Sequence, residues 1–436
     1  MPARLSVKKG KTVTTLTKIA SFSVLALSMS AGAASAQDNY FARDRVVGAG
    51  ERVHPDFTPQ PIRAGTWKVM PSVGVSAVNN SNIYATDQNE ESGVVVGLNP
   101  TLNLQSDWNR HAVAVYADVQ HNEYVDQSDE SHTNYSFTGN GRLDVTRDVA
   151  FEGRAGAARF FENRGSTSSA NGIIEPAEDL RYFAGATGRW SRDRIRVEAD
   201  LDVFDNKFED FKVAAGSPVN PDRSFRDNTE LAYGVNLAYA ISPDIAVFGA
   251  VKQTEREFDK RQLNGTSLDT TDTTVLVGAD FQYSLFRGKA SIGYFSNDPK
   301  DSAFDSKDGL GIDADVAWLP TQLTTLRLKA SRGTVELGVA NAPTGVVTDT
   351  ELRVDHELKR NILLFARAGF RNESFDETAF GVDFDNDYTT FGAGADYILN
   401  PNARVGIEAT HRERESDQVN RDYKQDIIGV SLRLNP

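Results

Sequence analysis

Ile195-Arg196-Val197-Glu198-Ala199-Asp200-Leu201-Asp202-Val203-Phe204-Asp205 places Ile195, Val197, Ala199, Leu201 and Val203 on one parity and Arg196, Glu198, Asp200 and Asp202 on the other. Successive side chains of a strand point to opposite faces, so this segment reads as a strand with one apolar and one charged face. The pattern recurs along the chain. Leu231, Tyr233, Val235, Leu237 and Tyr239 oppose Ala232, Gly234, Asn236 and Ala238, and Leu310, Ile312, Ala314, Val316 and Trp318 oppose Gly311, Asp313 and Asp315. Period two dominates from Trp67 to the end.

Short polar turns punctuate the strands at 107–110, Arg147-Asp148, Arg192-Asp193, 242–244, Arg287-Gly288, Pro320-Thr321, Arg360-Asn361 and 400–402. Between them lie longer polar stretches, among them 79–92, 163–179, 211–225, 258–270 and 369–387. Tight turns on one side, long loops on the other and strands of about ten residues describe an all-β, transmembrane, antiparallel up-and-down β-barrel. The turns recur roughly every 40 residues, and two strands per unit give about 18 strands. A propeller blade of that length would need four strands, and no Trp-Asp or Gly-His blade motif recurs. The first barrel strand runs through Trp67, Val69, Val73 and Val75, and the last through Ile428, Val430, Leu432 and Leu434. Trp67, Tyr116, Tyr182, Trp190, Tyr233, Tyr239, Tyr283, Tyr294, Trp318 and Tyr397, mostly near strand ends on the apolar parity, are expected to form interfacial girdles.

Residues 1–36 carry Lys8, Lys9, Lys11 and Lys18, an apolar run from Ile19 to Met29, and Ala34-Ser35-Ala36. That order is a secretory signal peptide, and the apolar run is too short for a spanning helix. Residues 37–64, with Pro55, Pro59 and Pro61, lack alternation and are expected to form an extended periplasmic arm or to enter the lumen; the barrel is assigned to 65–436. The net charge of −14 argues against nucleic acid as a partner, and the absence of cysteine excludes disulfides and thiolate chemistry.

No Gly-x-Ser-x-Gly elbow, phosphate loop or dinucleotide fingerprint occurs, so no enzyme activity and no cofactor is expected. The six histidines fall in separate segments, and no metal site is expected. Asp383, Asp385 and Asp387 imitate the start of a calcium loop, but Gly394 stands where the bidentate glutamate belongs. Function is therefore expected on the inward parity. The candidate pore-lining residues are Arg154, Arg181, Arg189, Arg196, Glu198, Asp202, Arg327, Lys329, Arg353, Asp355, Glu408 and Arg433, with Glu152, Asp200 and Glu357 beside them. Both signs are present, which suits a neutral or weakly charged hydrophilic cargo rather than strong ion selection.

Gly65-Thr66-Trp67 to Pro71, Asn82-Ile83-Tyr84 and Ser106-Asp107-Trp108-Asn109-Arg110-His111 resemble the motifs that open members of the proteobacterial family called putative beta-barrel porin 2. The resemblance implies a Gram-negative outer-membrane barrel surrounded by lipid and lipopolysaccharide, often associated with exopolysaccharide production. On that basis the expected function is translocation of an exopolysaccharide, with periplasmic polysaccharide-export proteins as partners. The alternative is a general diffusion porin for small hydrophilic solutes, a reading that a barrel of 16 to 18 strands, wide enough for an aqueous channel, supports equally.

Overall fold

A computed structural model describes residues 47–436 apart from 171, 218, 337, 340, 341 and 376–382; the signal-peptide segment lies outside the described residues. The strands are β1 (Ile62–Ala64), β2 (Trp67–Asn80), β3 (Gly93–Ser106), β4 (Ala112–Tyr124), β5 (His132–Asp144), β6 (Val149–Phe161), β7 (Glu178–Arg192), β8 (Ile195–Phe208), β9 (Asn228–Ser242) and β10 (Ile245–Phe258). They continue as β11 (Thr270–Tyr283), β12 (Phe286–Pro299), β13 (Lys307–Thr321), β14 (Thr324–Val335), β15 (Gly345–Lys359), β16 (Ile362–Phe375), β17 (Phe384–Asn400), β18 (Ala403–Ser416) and β19 (Tyr423–Leu434). Each strand from β2 to β19 pairs antiparallel with its neighbours in sequence. The ring closes where β19 meets β2, from Ile427 opposite Asn80 to Leu434 opposite Val73. The result is a closed barrel of 18 strands with no free edge strand, the arrangement that lipid requires of a spanning sheet. The short β1 pairs with Trp67, Lys68 and Val69 of β2, the stretch that β19 does not reach.

The apolar parity faces outward and has no protein to cover it. Leu237, Val277 and Ile428 on three separate strands are 55%, 59% and 58% exposed. A continuous belt of this kind is stable only against hydrocarbon. Trp190, Tyr239, Trp318 and Tyr397 lie close to the short-turn ends of their strands, and Tyr182, Tyr233 and Tyr294 lie nearer the long-loop ends. Phe286 stacks on Trp318 at 6.1 Å on the outer wall. Among the described residues no helix is long and apolar enough to cross a membrane.

Three expectations shift in detail. The turn placed at Arg287-Gly288 is Ser284-Leu285, with Ser284 in the left-handed region at φ 56. Gly288 serves the sheet instead: a Cβ there would stand 2.2 Å from the Asp315 carbonyl oxygen on β13. The turn placed at Pro320-Thr321 falls after them, because Thr321 still pairs with Thr324. Much of the polar run 369–387 is strand, since β16 continues to Phe375 and β17 starts at Phe384, with Asn372 Nδ2 donating to Asp387 Oδ1 at 2.8 Å.

Tyr116 corrects the girdle assignment. It lies opposite Asn103 and Thr138, on the face of β4 that carries Asp118 and Asn122, so its side chain is in the lumen. Alanines at 112, 114 and 117 leave β4 with small apolar residues on both parities, which is why its faces are hard to tell apart.

Candidate channel lumen

All twelve candidate residues sit on the inner face, fixed by cross-strand partners that share it. Most are held in ion pairs or hydrogen bonds along the wall. Arg154 Nη2 lies 2.8 Å from Asp202 Oδ1, and Arg189 bridges Glu198 at 2.7 Å and Glu152 at 3.3 Å. Arg181 Nε donates to Asn206 Oδ1 at 2.6 Å. Arg327 pairs with Asp315, Lys329 lies between Asp315 and Glu351 in register, and Arg196 lies opposite Ser191 and Ala238. Arg353 pairs with Asp355 at 2.9 Å over the Phe365 ring, and Arg367 joins Glu408 at 2.7 Å. Arg433 donates to Ser72 Oγ and Asn99 Oδ1, both at 3.3 Å.

Both signs therefore alternate along the wall, and the charges are paired with one another rather than gathered in a one-signed ring among the described residues. The charges are also unevenly spread. The inner faces of β2 to β5 are mostly Ser, Thr, Asn, Gln and Tyr, with Ser72, Asn99, Thr101, Asn103, Tyr116, Asn134, Ser136, Thr138 and Asn140 in this arc.

The long-loop mouth is narrowed by residues that the sequence pattern does not mark. Residues 162–169 leave β6 and reach the opposite wall. Thr167 Oγ1 bonds to Glu373 on β16 and lies 2.9 Å from the Tyr388 hydroxyl on β17, and Asn386 Nδ2 donates to it at 3.1 Å. Arg414 on β18, 2% exposed, donates to the Gly165 carbonyl at 3.0 Å, and Arg421 Nη2 donates to the Thr167 carbonyl at 2.6 Å. Burial, with Arg414 adding its repulsion, lowers the Arg421 guanidinium to about 10.

A second tie joins three loops. Arg223, from the loop between β8 and β9, lies 3.2 Å from Glu162 and 2.9 Å from Asp179. Arg226 lies 3.4 Å from Glu162 and 3.8 Å from Glu336 in the loop after β14, about a third of the way around the ring. On the β5 side, Arg164 Nε donates to Glu130 Oε2 at 3.0 Å. Burial pushes the Glu130 carboxyl above the ordinary range, with Arg164 opposing the shift.

The short-turn mouth is lined by the N-terminal arm. Ala49 N donates to Thr325 Oγ1 at 2.7 Å, Glu51 pairs with Arg287, and His54 Nε2 lies 3.0 Å from Glu357 Oε1. These partners lie on the inner face at the short-turn ends of β12, β14 and β15. From there the arm passes β17 and leaves through β1 beside β2. Asp107 fastens the exit, with Arg63 at 3.0 Å and Lys68 at 2.5 Å; the Lys68 bond holds its carboxyl below the usual range.

A model of the family described as putative beta-barrel porin 2 matches residues 54–436. The chain belongs to that family. With its exposed apolar belt and closed barrel, this porin-family chain is an outer-membrane β-barrel of a Gram-negative bacterium. No curated protein matches its sequence. Similar solved structures include the outer membrane protein opdK from Pseudomonas aeruginosa, at 11% identity and TM-score 0.46, covering 85% of this chain and 99% of that one. Another is OccK10 (OpdN) of Pseudomonas aeruginosa, at 13% identity and TM-score 0.42, covering 84% and 99%. A third is an FrpB iron transporter from Neisseria meningitidis, at 11% identity and TM-score 0.46, covering 82% of this chain and 64% of that one.

At the outer rim, Asp385, Asp387, Glu413, Glu415 and Asp422, with Arg414 and Lys424 among them, border a largely acidic cleft of about 560 Å³. Among the described residues no group of three His, Asp or Glu is placed to hold a metal ion.

Proposed function

We propose that this porin-family barrel is a channel, not an enzyme, that passes small hydrophilic solutes across the outer membrane. The observation that carries the reading is the docking of residues 165–169 on β16, β17 and the β18 side of the barrel. A segment docked across the outer mouth narrows the passage, which favours small solutes over large ones. A polymer chain would have to displace it together with the buried Arg414 contacts. Paired charges and the uncharged arc on β2 to β5 favour neutral or weakly charged cargo.

Planar-bilayer recording of the purified full chain tests the reading. Discrete conductance steps that persist in the presence of long neutral polymers support it, and a membrane without such steps overturns it. The exopolysaccharide conduit rests on the family resemblance. It gains over the solute channel if deletion of the gene abolishes extracellular polymer while leaving solute uptake unchanged. Lipopolysaccharide around the barrel and periplasmic export proteins belong to the same proposal.

A further inference from the structure

We infer that Tyr116, with Asp118 and Asn99 beside it, forms a subsite on the lumen wall for the pyranose ring of a neutral sugar; this deepens the solute-channel reading and rests on it. The inner wall carries several aromatic rings, and Tyr116 differs from four phenylalanines among them. Phe183, Phe248, Phe295 and Phe365 are 9% exposed or less, each laid over a glycine of a neighbouring strand: Gly156, Gly278, Gly309 and Gly394. Those rings fill the wall. Tyr116 lies opposite Asn103 and Thr138, with no glycine to receive it, and remains 40% exposed inside the barrel.

Around that ring the polar groups are already oriented. Asn99 Nδ2 donates to Asp118 Oδ2 at 2.9 Å and to the Val119 carbonyl at 2.8 Å, and its Oδ1 accepts from Arg433 at 3.3 Å. Arg433 is in turn held by Ser72, whose hydroxyl lies 2.7 Å from that of Thr101. The Tyr116 hydroxyl interacts with the Asp118 carboxylate. A pyranose presents an apolar C–H face to an aromatic ring and a rim of hydroxyls to carboxylate and amide oxygens. An exposed ring flanked by fixed acceptors matches both, as small-ligand sites combine aromatic surface with a few placed polar groups. The surrounding arc is largely uncharged, and Arg433 is occupied by Ser72 and Asn99, so the site favours a neutral sugar over an anion.

Isothermal titration of the detergent-solubilised full chain with maltohexaose tests this, with salt conductance in bilayers measured in parallel. Tyr116→Ala is expected to weaken binding about tenfold, the loss of one stacked ring. Tyr116→Phe, which keeps the ring, is expected to retain most of the affinity, and Tyr182→Ala, on the outer face, all of it. Unchanged affinity in Tyr116→Ala overturns the inference. So does an absence of binding in a wild-type protein that conducts salt, whereas a protein that does not conduct fails at the channel reading itself. Preference for glucuronate over glucose, lost in Arg433→Gln, would assign the network to an anion and also overturns it.

Discussion

Replacing Arg223 with Met should release the outer loops while leaving the barrel closed. Arg223 is 1% exposed and lies between Glu162 and Asp179, which are themselves buried. Its Nη1 also donates to the Glu209 carbonyl at 3.1 Å, and its guanidinium lies 4.9 Å from the Phe211 ring centroid. Methionine keeps an unbranched apolar stem in that packed site but leaves two carboxylates without their shared cation. Removing one partner of a buried ion pair costs about 3–5 kcal/mol. Arg226 still faces Glu162 at 3.4 Å, which places the expected cost near the lower end, about 3 kcal/mol. That corresponds to about a hundredfold rise in loop opening. Hydrogen exchange on peptides from the loop between β8 and β9 reads this directly, with strands β9 and β10 as an internal reference. A second change, Glu162→Gln, removes one of the stranded charges and should restore part of the lost protection. Protection that stays within about threefold of wild type, well under 1 kcal/mol, would mean that Arg223 does not hold the loops. So would a double variant no better protected than Arg223→Met alone.

Other consequences follow from the two faces and the two mouths. Val235→Arg puts a charge on the outer belt, where Val235 is 52% exposed, and should cost about 2–4 kcal/mol in folding into bilayers; Asn236→Arg, one residue along on the lumen face, should cost clearly less. Arg414→Ala frees the segment at Gly165 and should raise single-channel conductance, and an unchanged conductance would detach that segment from the constriction. Glu130 has a raised folded-state pKa, so between the ordinary glutamate value and the raised one the folded loop holds a proton that the unfolded loop lacks. Exchange protection of residues 125–131, corrected for intrinsic rates, should therefore increase as pH falls from 7 toward the ordinary carboxylate range, and Glu130→Gln should flatten it. Decreasing protection on acidification would contradict the sign.

The barrel was readable because alternation is a local property repeated in every strand. Ile195 to Val203 alone separates lipid face from lumen face, and the short turns then set the strand number. The candidate lining residues follow from the same parity. Where residue size does not differ between faces the parity is silent, and among the alanines of β4 it points Tyr116 to the wrong side. The two mouths were not readable. Thr167 meets Glu373, Glu51 meets Arg287 and Arg414 meets Gly165 across the lumen, at separations of 206, 236 and 249 residues. No periodic signal in the sequence encodes such pairs. Arg223 and Glu162 look like ordinary solvated loop charges until the fold buries them together. Gly288 shows the converse error, a turn-forming residue whose role is a close approach between strands.

Liposome swelling with neutral sugars of increasing size reads out whether the barrel is a constricted small-solute channel. The reconstituted full chain should admit glucose faster than maltose and maltose faster than maltohexaose, and should exclude dextran. Swelling no faster than in empty liposomes for any sugar, or equal rates for glucose and dextran, would contradict a small-solute channel constricted by its own loops.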